Sequence, residues 1–189
     1  MGALTRPVRI VAALGLVALA FVVARTEPQE ELSFAPFAVR VDEGELGEGR
    51  DLQAVVDDVL LADEVALGSW TGETAGVWLV VATRMATTEN GSLGYATLTV
   101  GERRWTASTR PGLPAMSSAS LDPGLPMAGS FFFELPADIA DDPDARHAVV
   151  RLAQDSDARL RTVVETEVDL TAIPHEAFAE VAPKERITW

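Results

Sequence analysis

Beyond residue 36 the apolar positions recur with a period of two in short runs, and Gly, Pro, Asp and Asn separate the runs. That period belongs to β-strands, whose successive side chains point to opposite faces. Phe37, Val39 and Val41 alternate as an edge strand. Residues 52–67 are mostly apolar but interrupted by Asp57-Asp58 and Asp63-Glu64, which predicts two short strands or one strand with a bulge. Residues 76–87, GVWLVVATRMAT, open on a continuous apolar run and predict a central strand buried on both faces. Glu89-Asn90-Gly91-Ser92 reads as a turn, and Asn-Gly is a strong hairpin signal. Tyr95–Val100 and Arg103–Thr109 flank Gly101-Glu102, the pattern of a two-residue type II′ hairpin with Leu98, Val100, Trp105 and Ala107 inward.

Residues 110–129 form a long loop punctuated by Pro111, Pro114, Pro123 and Pro126. Ser130-Phe131-Phe132-Phe133-Glu134-Leu135 follows as a strand. Three consecutive Phe cannot share one face, so either this strand is buried on both sides or one ring is exposed as part of a contact patch. Residues 137–144 are acidic and predict at most one helical turn. Strands follow over 146–153 and 159–170. In the second, Val164, Thr166, Val168 and Leu170 face the core, and Glu165, Glu167 and Asp169 form a wet acidic face. Residues 172–189 read as a C-terminal tail that either docks or wanders. Seven to nine short strands without a helical period predict an all-β sandwich or barrel over 37–171.

The N-terminal 25 residues follow a different pattern. Residues 10–24 carry no charge, Arg6 and Arg9 precede them, and Arg25 follows. This is the pattern of a signal peptide or an uncleaved signal anchor, with the N-terminus cytoplasmic and the rest of the chain outside. A membrane segment over residues 8–24, with Arg9 snorkelling, is short but sufficient for a single pass. Cleavage near Ala24 would instead release a secreted product. Residues 26–36 are polar and acidic, with Pro28 and Pro36, and read as a linker.

Charge sharpens this picture. The chain holds 15 basic and 29 acidic residues, a net −14. Past Arg25 the balance is 12 basic against 29 acidic, a net −17. A field of that sign argues against nucleic acid or anionic lipid as the main partner of the domain. The absence of cysteine excludes disulfides, thiolate zinc sites and a cysteine nucleophile.

Three stretches together resemble a known group. They are residues 52–61, the GVWLVV strand at 76–81, and Leu121-Asp122-Pro123-Gly124 followed by Gly129-Ser130-Phe131-Phe132-Phe133-Glu134-Leu135-Pro136. The group is the Ig-like extracellular domains of unknown function of Gram-positive bacteria, related in fold to a mycobacterial immunoprotective extracellular antigen. The resemblance implies an immunoglobulin-like β-sandwich preceded by one transmembrane or signal helix, and it carries no catalytic residue. Many members follow a lipid-modified cysteine, where this chain has its apolar segment. Trp78 and Trp105 are then the aromatic fillers of the core.

Candidate chemistry is sparse. His147 and His175 stand 28 positions apart, and no Gly-x-Ser-x-Gly occurs. Neither a serine triad nor a zinc site is predicted, and no cofactor or metal is expected. The clusters Asp57-Asp58, Asp141-Asp142-Asp144 and Asp155-Asp157 suit calcium in ligand type, but none follows the alternating calcium-loop pattern. The leading expectation is a non-enzymatic binding or accessory module of the envelope with a protein partner. A hydrolase with a carboxylate site and a calcium-stabilised spacer stand as alternatives. Sandwiches recognise partners through loops at their ends, so loops 68–76 and 110–129 supply the contact candidates: Trp70, Arg110, Leu113 and Met116, with Trp189 at the C-terminus.

Overall fold

In the computed structural model the described residues are 13–17, 19–20 and 34–189. The chain divides into two units, Met1–Ala35 and Pro36–Trp189. In the first, residues 13–17 and 19–20 are helical, and the remainder of the predicted membrane segment 8–24 lies outside the described residues. No helix among the described residues is long and apolar enough to cross a membrane.

In the second unit two sheets pack face to face. Sheet I runs in the order β1 (Phe37–Arg40), β11 (Thr162–Val168), β10 (Ala148–Ala153), β6 (Tyr95–Val100) and β7 (Arg103–Thr106). Sheet II runs β12 (His175–Val181), β3 (Leu52–Leu67), β4 (Trp70–Thr87), β9 (Met127–Leu135) and β13 (Glu185–Arg186), with β2 (Gly47–Glu48) also on β3. A third, two-stranded ribbon joins β5 (Ser92–Leu93) to β8 (Ser120–Leu121). Nine of these strands have at least four residues, so the sandwich has the strand content its alternation predicted.

The core between the sheets follows from period two. Val77, Leu79 and Val81 of β4 and Phe131 and Phe133 of β9 point inward. They meet Leu98, Val150 and Val164 from sheet I. Phe132 points the other way and is just as buried, within a second cluster with Trp78, Val80, Val65 and Leu67. The run of three Phe is therefore covered on both faces. Trp78 belongs to this outer cluster, whereas Trp105 packs partly buried against the main core.

The cover on the outer face is the tip of the β3–β4 hairpin. The acidic interruptions in β3 are bulges within one long strand: its register against β4 shifts between Val56 and Asp58 and again between Ala62 and Glu64. Six residues of straight strand span about 20 Å. Yet the Trp78 indole N–H donates to the carbonyl of Gly72 at 3.0 Å, so the chain between them turns back sharply. Gly76 sits in that bend, and the carbonyl of Leu135 stands where any Cβ would be. The 68–76 segment is accordingly a strand end and not the predicted loop. Gly68, at φ 61°, closes a two-residue turn between paired Leu67 and Trp70.

Other expectations sort by whether an edge was free. Tyr95–Val100 and Arg103–Thr106 do pair through Gly101, at φ 56°. The Asn90-Gly91 turn makes no hairpin, because β4 is already paired on both edges. The chain there crosses to the other sheet instead. Residues 172–189 dock as structure: β12 pairs in parallel with β3, and β13 pairs antiparallel with β9.

Candidate functional site

Two places concentrate polar chemistry: the clamp over the hairpin tip, and a cleft at the end of the sandwich where β5, β6 and β8 meet the β10–β11 loop. Four of the five contact candidates bear on the first. Trp70 opens β4 and is half-buried, its ring edge-on to Trp78 at 5.7 Å and to Phe132 at 6.2 Å. It holds the tip down, because an indole gains most from apolar burial where such a cluster is available. Met116 is 0% exposed, in a short 3₁₀ turn over Met116–Ser118, and plugs the sandwich core. Met116 is no surface contact, and that expectation is corrected here, whereas Trp70 turns onto the outer cluster with part of its ring still exposed. The proline-rich loop must close the end of the barrel-like core, and its apolar residues turn inward to do so.

Arg110 and Leu113 are at the surface. The Arg110 guanidinium donates to Glu134 Oε2 at 2.7 Å and to the Glu73 carbonyl at 3.1 Å, and lies 5.2 Å over the Trp78 ring. Ser108 Oγ donates to the other Glu134 oxygen at 2.9 Å. Arg110 thus fastens the hairpin tip to β9. Leu113, at the loop apex, is 81% exposed. Lys184, the chain's sole lysine, donates from Nζ to the carbonyls of Leu113, Ala115 and Ser118. Burial pushes the Lys184 ammonium below its ordinary range. Trp189 stands apart from this group, stacked 5.6 Å from the guanidinium of Arg84, which is itself bound side-on to Asp57.

The second place went unseen in the sequence. Asn90, Ser92, Tyr95, Ser120, Gln154 and Arg161 line a cleft of about 640 Å³. Each comes from a strand end or a connection, so a rigid scaffold holds a polar surface. Beneath it Asp51 and Gln154 are buried, at 5% and 3% exposure. Asp51 Oδ1 accepts the backbone N–H of Thr162 at 3.0 Å, and Gln154 Nε2 donates to the Asp51 carbonyl. Arg161 then donates from Nη1 to Gln154 Oε1 at 3.2 Å and faces Asp51 Oδ2 at 4.0 Å. The guanidinium is oriented from below and remains about half exposed above. Two signals pointed here: the Asn90-Gly91-Ser92 turn and Asp155 of the acidic cluster both border the cleft. Buried Gln154 gave none, because an amide after an apolar strand reads as a loop residue.

The acidic clusters are engaged by arginine and by their own turns. Asp57 holds Arg84, Asp142 pairs with Arg103, and Asp157 holds Arg159 at 2.6 Å. Bonds from the Arg159 side chain and backbone lower the Asp157 carboxyl to about 2. Asp155 accepts from the Asp157 N–H and the Ser156 hydroxyl and is held below the ordinary carboxylate range. Among the described residues no three carboxylates or imidazoles gather as metal ligands. His147 and His175 each face one surface carboxylate, Glu167 and Asp63, at 2.9 Å. The predicted wet face of β11 is only partly wet. Glu165 is buried between Arg151, at 2.5 Å, and Arg40, at 3.3 Å, because cross-strand Arg151 stands directly opposite and covers it.

No protein-family model matches the chain, and no curated protein matches it in sequence. Solved structures do match in fold. An uncharacterized β-sandwich protein from Clostridium difficile superposes with a TM-score of 0.50 at 12% identity, over 75% of this chain and 99% of that one. The yjhA protein from Bacillus subtilis gives 0.44 at 13% identity, over 67% and 99%. A protein titled "putative lipoprotein" from Staphylococcus aureus gives 0.43 at 8% identity, over 74% and 97%. The chain is a β-sandwich of the kind seen in the first of these.

Proposed function

We propose that this chain is a non-enzymatic extracytoplasmic module of the bacterial envelope. It is held at the membrane through residues 8–24, or secreted if cut near Ala24, and presents its 110–118 loop to another envelope protein. The observation that carries the reading is Leu113: a large apolar side chain, 81% exposed, at the apex of a loop fixed from below. Met116 anchors one side of that loop in the core, Arg110 anchors the other, and Lys184 bridges its carbonyls. A loop already fixed in this way loses little entropy when its apical apolar side chain is buried by a partner. The location rests on the apolar run after Arg6 and Arg9 and on the resemblance to Ig-like extracellular domains.

Cross-linking and capture of the full-length protein from gently solubilised membranes tests this. One reproducible partner is expected, linked through residues 110–118 and lost in Leu113→Asp while the melting temperature holds. Capture that is indifferent to Leu113→Asp, or links only elsewhere, would overturn the assignment to this loop.

A further inference from the structure

The end cleft is a second site that takes only Ser117 from the 110–118 loop, and its chemistry is specific enough to name a ligand class. We infer that it binds a saccharide carrying a carboxylate. Three features lead there. First, Arg161 is a prepared anion receptor. Its guanidinium is aimed by buried Gln154, which is itself locked to the backbone of Asp51. A surface arginine needs no such support, and a planar, oriented guanidinium matches a carboxylate in two parallel hydrogen bonds.

Second, the walls both donate and accept. Ser117, Ser120, Ser156 and Asn90 line the opening, and the Ser117 and Ser156 hydroxyls, which donate to the Ser108 carbonyl and to Asp155, keep acceptor lone pairs. Sugar hydroxyls also do both, and they suit such a wall better than an apolar or purely cationic ligand does. Ser92, a residue of the cleft wall, has a buried Oγ with no hydrogen-bond partner. Third, Tyr95 and Leu93 give the cleft an apolar surface against which the C–H face of a sugar ring packs.

Asp155 sets the charge limit. Its carboxylate borders the same cleft and accepts hydroxyl donors but repels a second negative charge. Asp155 repels a doubly charged phosphate more than a singly charged carboxylate, and neutral sugar hydroxyls can donate to it. The volume of about 640 Å³ is within the usual range of small-molecule sites.

Tyr95 is the only tyrosine of the chain, so a protein labelled with ring-¹³C tyrosine reports from the cleft with one signal. The full-length protein in a detergent without a sugar headgroup is titrated with two matched pairs. These are glucuronic acid against glucose, and N-acetylmuramic acid against N-acetylglucosamine. The inference expects a saturable shift of the Tyr95 signal with at least one acid and at least tenfold weaker binding of its neutral counterpart. It also expects Arg161→Gln to weaken the acid at least tenfold and leave the neutral sugar unchanged. Arg161→Lys, which keeps the charge but loses the planar fork, is expected to weaken the acid as well and covers the case that Arg161→Gln does not fold. No saturable shift with either acid, equal binding of acid and neutral sugar, or acid binding unaffected by both variants would each overturn it.

Discussion

On the outer face of sheet I, Arg151 of β10 and Glu165 of β11 stand directly opposite each other and meet at 2.5 Å. On the outer face of sheet II, the equivalent layer is Trp78, Val80 and Phe132, all buried. The same sandwich has thus solved one problem in two ways. Sheet I meets water with charges that satisfy one another, so its strands alternate apolar and polar. Sheet II carries apolar side chains on both faces, and water must be kept from the second. The chain supplies the cover itself by folding the β3–β4 tip back and fastening it with Trp70, the Trp78–Gly72 hydrogen bond and Arg110. The lesson is that a doubly apolar strand demands a third layer, and a long hairpin with bulges can provide one without a helix.

The comparison breaks most visibly at Trp78. Trp78→Ala removes the ring on which Trp70, Phe132 and Arg110 all rest, and is expected to cost about 3–5 kcal/mol in chemical denaturation. A loss under about 1 kcal/mol would mean the folded tip contributes little. On the other face, Glu165→Gln keeps the shape but removes the charge that Arg151 and Arg40 share. The expected loss is about 1–2 kcal/mol, smaller because Arg40 is largely exposed. If the Glu165 variant proves the more damaging of the two, the ranking of the two faces is inverted.

Smaller effects sharpen the edges of the picture. Trp189→Ala removes a half-exposed ring stacked on Arg84, and a loss of under about 1 kcal/mol is expected in the same denaturation assay. A larger loss would place Trp189 in the sandwich core. Smallest is the acid response of the 155–161 loop. Folding lowers the Asp157 carboxyl from 3.8 to about 2, so its contribution is present above pH 4 and disappears as pH falls toward 2. Asp157→Asn should therefore flatten the acid limb between about pH 4 and 2, with slightly lower stability than the parent above pH 4 and the same stability near pH 2. An unchanged acid limb would show that the Arg159 contact does not persist in solution.

Much of this was legible along the chain, for a definite reason wherever it was. Adjacent residues of the run Phe131-Phe132-Phe133 point oppositely, which allows burial on both faces or one exposed ring, and the fold buries all three. The acidic pairs in β3 fall at bulges, where the ladder is already interrupted. Gly101 made its hairpin because two free strands flanked it. Asn90-Gly91 failed as a hairpin because the strand before it had no free edge left. Trp70 and Met116 were read as surface contacts from their place in loop-like stretches, but an apolar side chain moves to whichever cluster is in reach, and reach is set by the fold. Arg110 and Leu113 proved to be at the surface. The cleft around Arg161 was hidden because Asp51, Tyr95 and the Gln154–Arg161 pair are separated by tens of residues, and no spacing links them.

The sequence by itself determined the period-two strands, the two-faced burial of β4, the acidic surface and the separate N-terminal segment. These depend on side-chain chemistry read one position against the next. Only the tertiary structure decided that the hairpin tip is the third layer, that residues 175–186 complete sheet II, and that Arg161 rests on Gln154 and Asp51. Those outcomes depend on which strand edges remain unpaired and which buried donors still need acceptors. Such debts arise between distant parts of the chain, and they are settled when the sheets come together.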